Sequence, residues 1–171
     1  MRKMTLSLLF LVLVAAAAVS ETVMLYVGNG VENEEQFEAS LPISMALEDG
    51  VMNEFFNNGH IIFNAGIKLE QDFPETPVKV ERLPLRMAKA GGARYLLEVN
   101  INYAFERGED EEIGVKNTFS ADYIFSQVSS SRILQRGGIT TASVSGIEDP
   151  EPEKYSYALG QMIAREALSI W

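Results

Sequence analysis

RYLLEVNINYAFE, residues 94–106, alternates with a period of two. Tyr95, Leu97, Val99, Ile101, Tyr103 and Phe105 fall on one side, and Glu98, Asn100, Asn102 and Glu106 on the other. Side chains alternate across a strand, so this spacing predicts one long strand with an apolar face and a wet face. A wet face fits a sheet with one open side, or one side kept for a partner. Glu98, Asn100 and Asn102 are therefore candidate recognition residues, because a rigid strand holds them. An ordinary solvent face is the other reading of the same three residues.

The pattern continues downstream. RGEDEEIG, residues 107–114, makes an acidic turn. Val115 to Val128 reads as a returning strand with Phe119, Ala121, Tyr123 and Phe125 on one face. Ser129-Ser130-Ser131 turns the chain again, and Ile133 to Val144 reads as a third strand with a bulge at Gly137-Gly138. Three consecutive strands predict an antiparallel meander. Asp149-Pro150-Glu151-Pro152 then leads into a last helix running to about Ile170, with Tyr155, Leu159, Met162, Ile163, Ala167 and Ile170 as its apolar stripe.

Upstream, Pro84 to Ala90 reads as a short helix ended by Gly91-Gly92. The proline-bearing loop QDFPETP and an extended piece at Val78 to Arg82 precede it. LEDGVMNEFFNNGHIIFNAGI, residues 47–67, holds a helix end and a strand. Ile43, Leu47, Val51 and Phe55 recur every four residues, with Ser40 as the expected cap and Pro42 in the first turn. Asn57-Asn58-Gly59 stops that helix, with Gly59 able to take a left-handed conformation. Ile61, Ile62 and Phe63 are contiguous, which predicts a strand over His60 to Ile67 covered on both faces. GNGVENEEQFEAS reads as an acidic loop, and TVMLYV at Thr22 to Val27 as the first strand. The expected fold is α+β, a single mixed sheet in the order β-α-β-(α)-β-β-β-α with helices mainly on one face. Its first two strands should pair parallel, as a strand-helix-strand unit does.

The chain start reads as an export signal. Arg2 and Lys3 precede the apolar run LSLLFLVLVAAAAV at Leu6 to Val19, and Ala18 and Ser20 place small residues at a cleavage site. The expected division is a signal over 1–20 and one domain over 21–171. The alternative is an uncleaved anchor, for which the run is short, since a span needs about 20 residues. Without Arg2 and Lys3 the chain carries 12 basic and 24 acidic residues, a net charge of −12. That charge opposes binding to nucleic acid or anionic membrane surfaces and suits neutral or basic partners. The protein is thus expected to be periplasmic or secreted, with no stable membrane span once the signal is cut. There is no cysteine, which excludes disulfides, thiolate metal sites, cysteine nucleophiles and a lipid-bearing cysteine. With 47% apolar residues the chain can build a core without them.

Few residues invite catalytic chemistry. His60 is the one histidine, follows a helix-ending glycine and opens an apolar strand. No GxSxG elbow and no HExxH pair accompanies it, so it reads as architecture. Gly28-Asn29-Gly30 follows the first strand, but four glutamates come next where a phosphate would be repelled. Glu32, Glu34, Glu35 and Glu38 form one carboxylate cluster, and Glu106, Glu109, Asp110, Glu111 and Glu112 another. Neither has the ligand spacing of a calcium loop, and both read as solvated loops that could dock a basic partner. No metal and no cofactor is implied. Glu98, Asn100, Asn102, Glu109, Asp110 and Glu111 are the candidate binding residues.

NNGHIIFNAG, residues 57–66, and AKAGGARYLLEVNINYAF, residues 88–105, carry a resemblance. A helix ends in a glycine before a strand. A second helix then passes through a small-residue turn into a long strand, followed by strand-turn-strand and a terminal helix. This series resembles the periplasmic domains of LpoB-type activators of penicillin-binding proteins, the curli secretion lipoprotein CsgG and the amino-terminal domain of TolB. The resemblance covers nearly the whole chain after residue 20. It implies a non-enzymatic protein of a bacterial envelope, an adaptor or accessory factor that binds a protein partner, with cell-wall synthesis or secretion as the setting. Two other readings stay open: a carboxylate-dependent hydrolase or metal-binding enzyme, and a small-ligand carrier lined by Tyr95, Tyr103, Phe105, Phe119, Tyr123 and Phe125.

Overall fold

A computed structural model describes residues 21–66, 68–69, 82–108, 112–145 and 151–171. The expected leader over 1–20, most of the extended piece before Arg82, and Glu109, Asp110 and Glu111 lie outside the described residues.

The first strand, β1 (Thr22–Asn29), is the hub of the sheet. It pairs parallel with β2 (Ile61–Asn64), with the two-residue β3 (Lys68–Leu69) near its far end, and with β4 (Tyr95–Asn102). β4 pairs antiparallel with β7 (Ser120–Gln127), and β7 antiparallel with β8 (Arg132–Thr140). The strand order is β2-β1-β4-β7-β8. A separate ribbon, β5 (Phe105–Arg107) with β6 (Ile113–Val115), stands apart from this sheet. Three helices complete the described chain: α1 (Glu34–Asn57), α2 (Leu83–Ala90) and α3 (Pro152–Leu168). The expected α+β architecture, with its parallel start and antiparallel meander, is the one observed.

α1 and α3 cover one face. Ile43, Leu47, Val51 and Phe55 of α1 and Leu159, Ile163, Ala164 and Ala167 of α3 pack against Val23, Leu25, Val27, Leu97, Val99, Ile101, Tyr123 and Phe125. The two helices touch backbone to backbone. A Cβ on Gly50 would meet the Tyr157 carbonyl oxygen at 2.1 Å, and one on Gly160 the Leu47 carbonyl oxygen at 2.3 Å. On the other face, among the described residues, α2 covers one end, where Ala88 packs with Met24, Tyr26, Leu96 and Val128.

Several expectations need correction. α1 starts at Glu34, so GNGVENEEQFEAS is half helix rather than loop. Asn33 is the cap: its Oδ1 accepts from Gln36 N at 2.9 Å, while the Gln36 Oε1 accepts from Glu32 N at 2.9 Å. Glu34 and Glu35 then sit in the first turn, where the helix dipole favours negative charge. Pro42 is consequently inside the helix, not in its first turn. It lies on the exposed side, where water can meet a carbonyl that lacks its donor. The far end matches expectation: Gly59 has φ +81°, its N–H bonds the Phe56 carbonyl at 2.9 Å, and the His60 N–H bonds the Phe55 carbonyl at 3.1 Å.

β2 is an edge strand and is not covered on both faces; Ile61 is 56% exposed. The long strand at 94–106 breaks at Tyr103 and Ala104. There the Tyr103 hydroxyl turns inward to Ser44 Oγ at 2.6 Å and donates to Asn29 Oδ1 at 3.2 Å. The returning strand likewise splits into β6 and β7. The irregularity in β8 lies opposite Phe125 and Ser126, whose partners are Gln135 and Ile133, which leaves Leu134 as the extra residue. Gly137 and Gly138 pair in register instead. Gly137 leaves room for the buried Tyr123 ring, 2.8 Å from where its Cβ would stand, and the Asp122 side chain lies over Gly138, its Oδ1 2.6 Å from the corresponding point.

Candidate functional site

The sheet face that α1 and α3 leave bare carries the predicted polar residues. Cross-strand pairing sets Gly28, Asn100, Asp122 and Gly138 side by side across β1, β4, β7 and β8. The next row holds Tyr26, Glu98, Ile124 and Arg136. Both middle residues of the first row are exposed, and both flanking positions are glycine. The Asn100 amide lies over Gly28, with its Oδ1 2.4 Å from where a Cβ would stand. Asn100 and Asp122 thus lean over backbone on either side, which leaves a strip with polar side chains at its centre. Asn102 Nδ2 donates to Asp122 Oδ2 at 3.0 Å, which ties β4 to β7 on this face.

Glu98 sits lower on the strip and is half-buried. Burial pushes its carboxyl up from its ordinary value, and the opposing charge and hydrogen bond of Arg82 limit the rise. The Arg82 guanidinium donates to Glu98 Oε1. Beside this pair a cavity of about 240 Å³ is lined by Leu85, Leu96, Ile124, Ser126, Ser131 and Ile133. Ile133 is an exposed apolar side chain at its rim. The site therefore combines a polar strip, a paired charge and a small apolar recess.

The structure brings Glu98, Asn100 and Asn102 onto one face; Glu109, Asp110 and Glu111 lie outside the described residues. Sequence reasoning missed Asp122, Arg82 and the two glycines. Asp122 was within reach, since placing Ala121 and Tyr123 on the core face puts it on the other. Arg82 was not, because its pairing with Glu98 depends on where α2 docks.

The remaining candidates resolve into packing. The His60 ring lies edge-on to Phe55 at 6.1 Å and 4.4 Å from the Trp171 ring. Its Nδ1 is buried without a hydrogen-bond partner, and burial holds its pKa below the ordinary value against the charge of Glu21. Glu34, Glu35 and Glu38 belong to α1. Among the described residues no group of three or more His, Asp or Glu is placed to hold a metal ion. The expected carrier lining is largely core: Tyr95 stacks on Phe125 at 5.4 Å, and Phe119, Tyr123 and Phe125 are buried. The Tyr123 hydroxyl donates to Glu166, and burial together with that carboxylate pushes the phenol well up. A second groove, of about 770 Å³, runs along α1 and the β2 edge, lined by Met52, Phe56, His60, Ile61, Ile62 and Tyr157, with Asp49 and Asn53 as its polar margin. No helix among the described residues is long and apolar enough to cross a membrane.

Among solved structures the chain is similar to a point variant of PelC from Paraburkholderia phytofirmans, a dodecamer. The two are 14% identical with a TM-score of 0.51, over 88% of this chain and 86% of that one. The similarity shows a shared fold. The expected likeness to TolB and LpoB is also found. TolB from Acinetobacter baumannii is 11% identical, with a TM-score of 0.38 over 88% of this chain and 28% of that one. The C-terminal domain of LpoB from Escherichia coli is 17% identical, with a TM-score of 0.35 over 78% and 90%. No curated protein matches the sequence. Residues 28–170 match the profile of a family described as "Uncharacterised protein", and the chain belongs to that family.

Proposed function

We propose that this is a non-enzymatic accessory protein of a bacterial envelope, exported by a signal over residues 1–20, whose domain over 21–171 holds a protein partner on the bare face of its sheet. The observation that carries the reading is the row Gly28, Asn100, Asp122, Gly138, two exposed polar side chains flanked by glycines on adjacent strands. Strands hold such groups rigidly, so little order has to be imposed on binding. The recess beside the strip is smaller than the roughly 300–1,000 Å³ of typical small-molecule pockets, which favours a macromolecular partner. A recess of that size beside exposed Ile133 suits one apolar anchor from such a partner. The acidic balance of the chain favours a neutral or basic partner. Glu109, Asp110 and Glu111 enter the proposal from the sequence alone, as an acidic extension of the same surface.

The test is capture from an envelope extract by the wild-type chain and by an Asn100→Ala/Asp122→Ala variant, at low and high salt. One protein retained by the wild type, lost by the variant and weakened by salt supports the reading. Equal retention by both chains sinks it. A second copy of this chain is the other occupant to consider, because the PelC variant with the same fold assembles as a dodecamer. Light scattering on the two purified chains separates that case.

A further inference from the structure

Six large apolar side chains are exposed among the described residues, and three of them are tied to one end of the sheet through His60, Phe56 and Ile61 in its groove and Trp171 on its ring, with Ile170 next to Trp171 in the chain. The Trp171 ring packs on His60 at 4.4 Å and on Tyr95 at 5.1 Å, which places residue 171 beside the start of β2 and β4. Phe56 and Ile61 line one groove with His60. Phe56 is 75% exposed and Ile61 56%, so neither is needed to complete the core. Scattered exposed apolar residues are ordinary, whereas a contiguous group of this kind marks a surface that something covers.

The fold indicates what covers it. Ile61 N donates to the Glu21 carbonyl at 3.0 Å, and Arg94 N to the Thr22 carbonyl at 2.9 Å. The patch therefore surrounds the point where the chain enters from residues 1–20. The apolar run Leu6 to Val19 ends two residues before Glu21, a reach of about 7 Å at most. Where the run stays uncut as an anchor, the alternative to the expected cleavage, and occupies a bilayer, this end of the sheet is held at the bilayer surface. Its chemistry suits that place. Tryptophan and phenylalanine partition well into the headgroup boundary. Arg94 and Arg165 flank the patch with more than half of each side chain exposed, so their apolar stems can lie along the surface while the charged heads meet phosphate. Each is already paired, Arg94 with Glu21 at 2.9 Å and Arg165 with Glu54 at 3.0 Å, so these flanking charges balance within an otherwise acidic chain. Asp49 on the margin of the groove adds one further carboxylate, so this end carries no excess of positive charge and is matched to a zwitterionic surface rather than an anionic one.

We propose that Phe56, Ile61, Ile170 and Trp171 form a bilayer-docking end that rests on zwitterionic phospholipid and turns the bare sheet face sideways, toward partners in the same compartment. Trp171 is the one tryptophan of the chain, so emission excited at the red edge of indole absorption, where tyrosine does not absorb, reports on this end alone. The experiment places the full chain in phosphatidylcholine vesicles, with and without bromine on the acyl chains, and compares it with a Phe56→Asp/Ile61→Asp variant and with Ile170→Asp. All three chains keep Leu6 to Val19, so anchoring by that run is common to them. The expected result is quenching of Trp171 by the brominated lipid in the wild type and loss of that quenching in both variants, with unchanged far-ultraviolet circular dichroism. Trp171 emission that ignores the bromine, or equal quenching in all three chains, overturns the proposal. A variant that loses its circular dichroism is set aside, and the other decides.

Discussion

The Trp171 ring lies 4.4 Å from the His60 ring at an interplanar angle of 39°, which joins the last residue of the sequence to the one histidine. Phe55 and Phe125 meet the same indole edge-on at 6.0 and 5.5 Å. Trp171 is 45% exposed, so only part of its area is removed from water. Replacing it by alanine is expected to cost roughly 1–2 kcal/mol of unfolding free energy, measured by urea denaturation, since it removes both burial and edge contacts.

His60 should titrate below its ordinary value, because burial disfavours the imidazolium and the Glu21 charge only partly offsets this. The single histidine gives one titrating imidazole signal by nuclear magnetic resonance. The unfolded chain then binds the proton first as pH falls. Stability associated with His60 is complete above about pH 6.5 and is lost as pH drops from there through the lower folded pKa. A His60→Asn variant is expected to lack this part of the acid sensitivity, seen as a flatter dependence of melting temperature on pH.

Glu48 points the other way. It is 6% exposed, one carboxylate oxygen accepts from Asn64 Nδ2 at 2.9 Å, and the other has no partner. Burial raises its pKa, and nearby Asp49 adds to the rise against the Asn64 bond. The folded chain therefore holds this proton more tightly than the unfolded chain. Stability is greatest below the unfolded value and falls as pH rises through the folded one. Glu48→Gln keeps the size and removes the charge. It is expected to raise the melting temperature at neutral pH, with the gain shrinking to nothing in acid.

Gly50 and Gly160 set the approach of α1 to α3. A methyl group at either position would overlap a carbonyl oxygen of the facing helix, at 2.1 and 2.3 Å, and backbone cannot swing aside as a side-chain tip can. Gly50→Ala and Gly160→Ala are each expected to lower stability by roughly 1–3 kcal/mol, although alanine is the better helix former. Chemical denaturation of the two variants checks this. Stabilisation of either would show that the helices sit farther apart.

The legible part of this fold was local. The Gly59 stop, the Gly91-Gly92 turn and the alternation of β4 and β7 follow from backbone conformation and from a period of two. The errors came where a distant residue decided the outcome. Ile61-Ile62-Phe63 reads as a buried strand, but among the described residues β2 has no neighbour beyond it, and part of that apolar run is exposed. Gly137-Gly138 reads as a bulge, yet the pair only makes room for Tyr123 and Asp122. Tyr103 continues the alternation of β4 but leaves the ladder for Ser44 on α1. Ser40 and Pro42 are plausible start signals that lose to Asn33 and Gln36, a capping pair one turn and more upstream. The candidate site divides in the same way. Asn100 and Asn102 were visible in the strand period, while the Arg82 partner of Glu98 and the glycine flanks depend on register.

The central claim is that the bare sheet face holds a protein partner, and a photo-crosslinker at Asn102 tests it most directly. Asn102 is exposed at the top of the polar strip, and Glu38, exposed on α1, serves as the control position. The account predicts that illumination of the source cells yields one discrete adduct from position 102, absent from position 38 and absent from an Asp122→Ala background. Adducts from position 38 but not from 102, or none from either, would contradict it and move the binding surface to the helices.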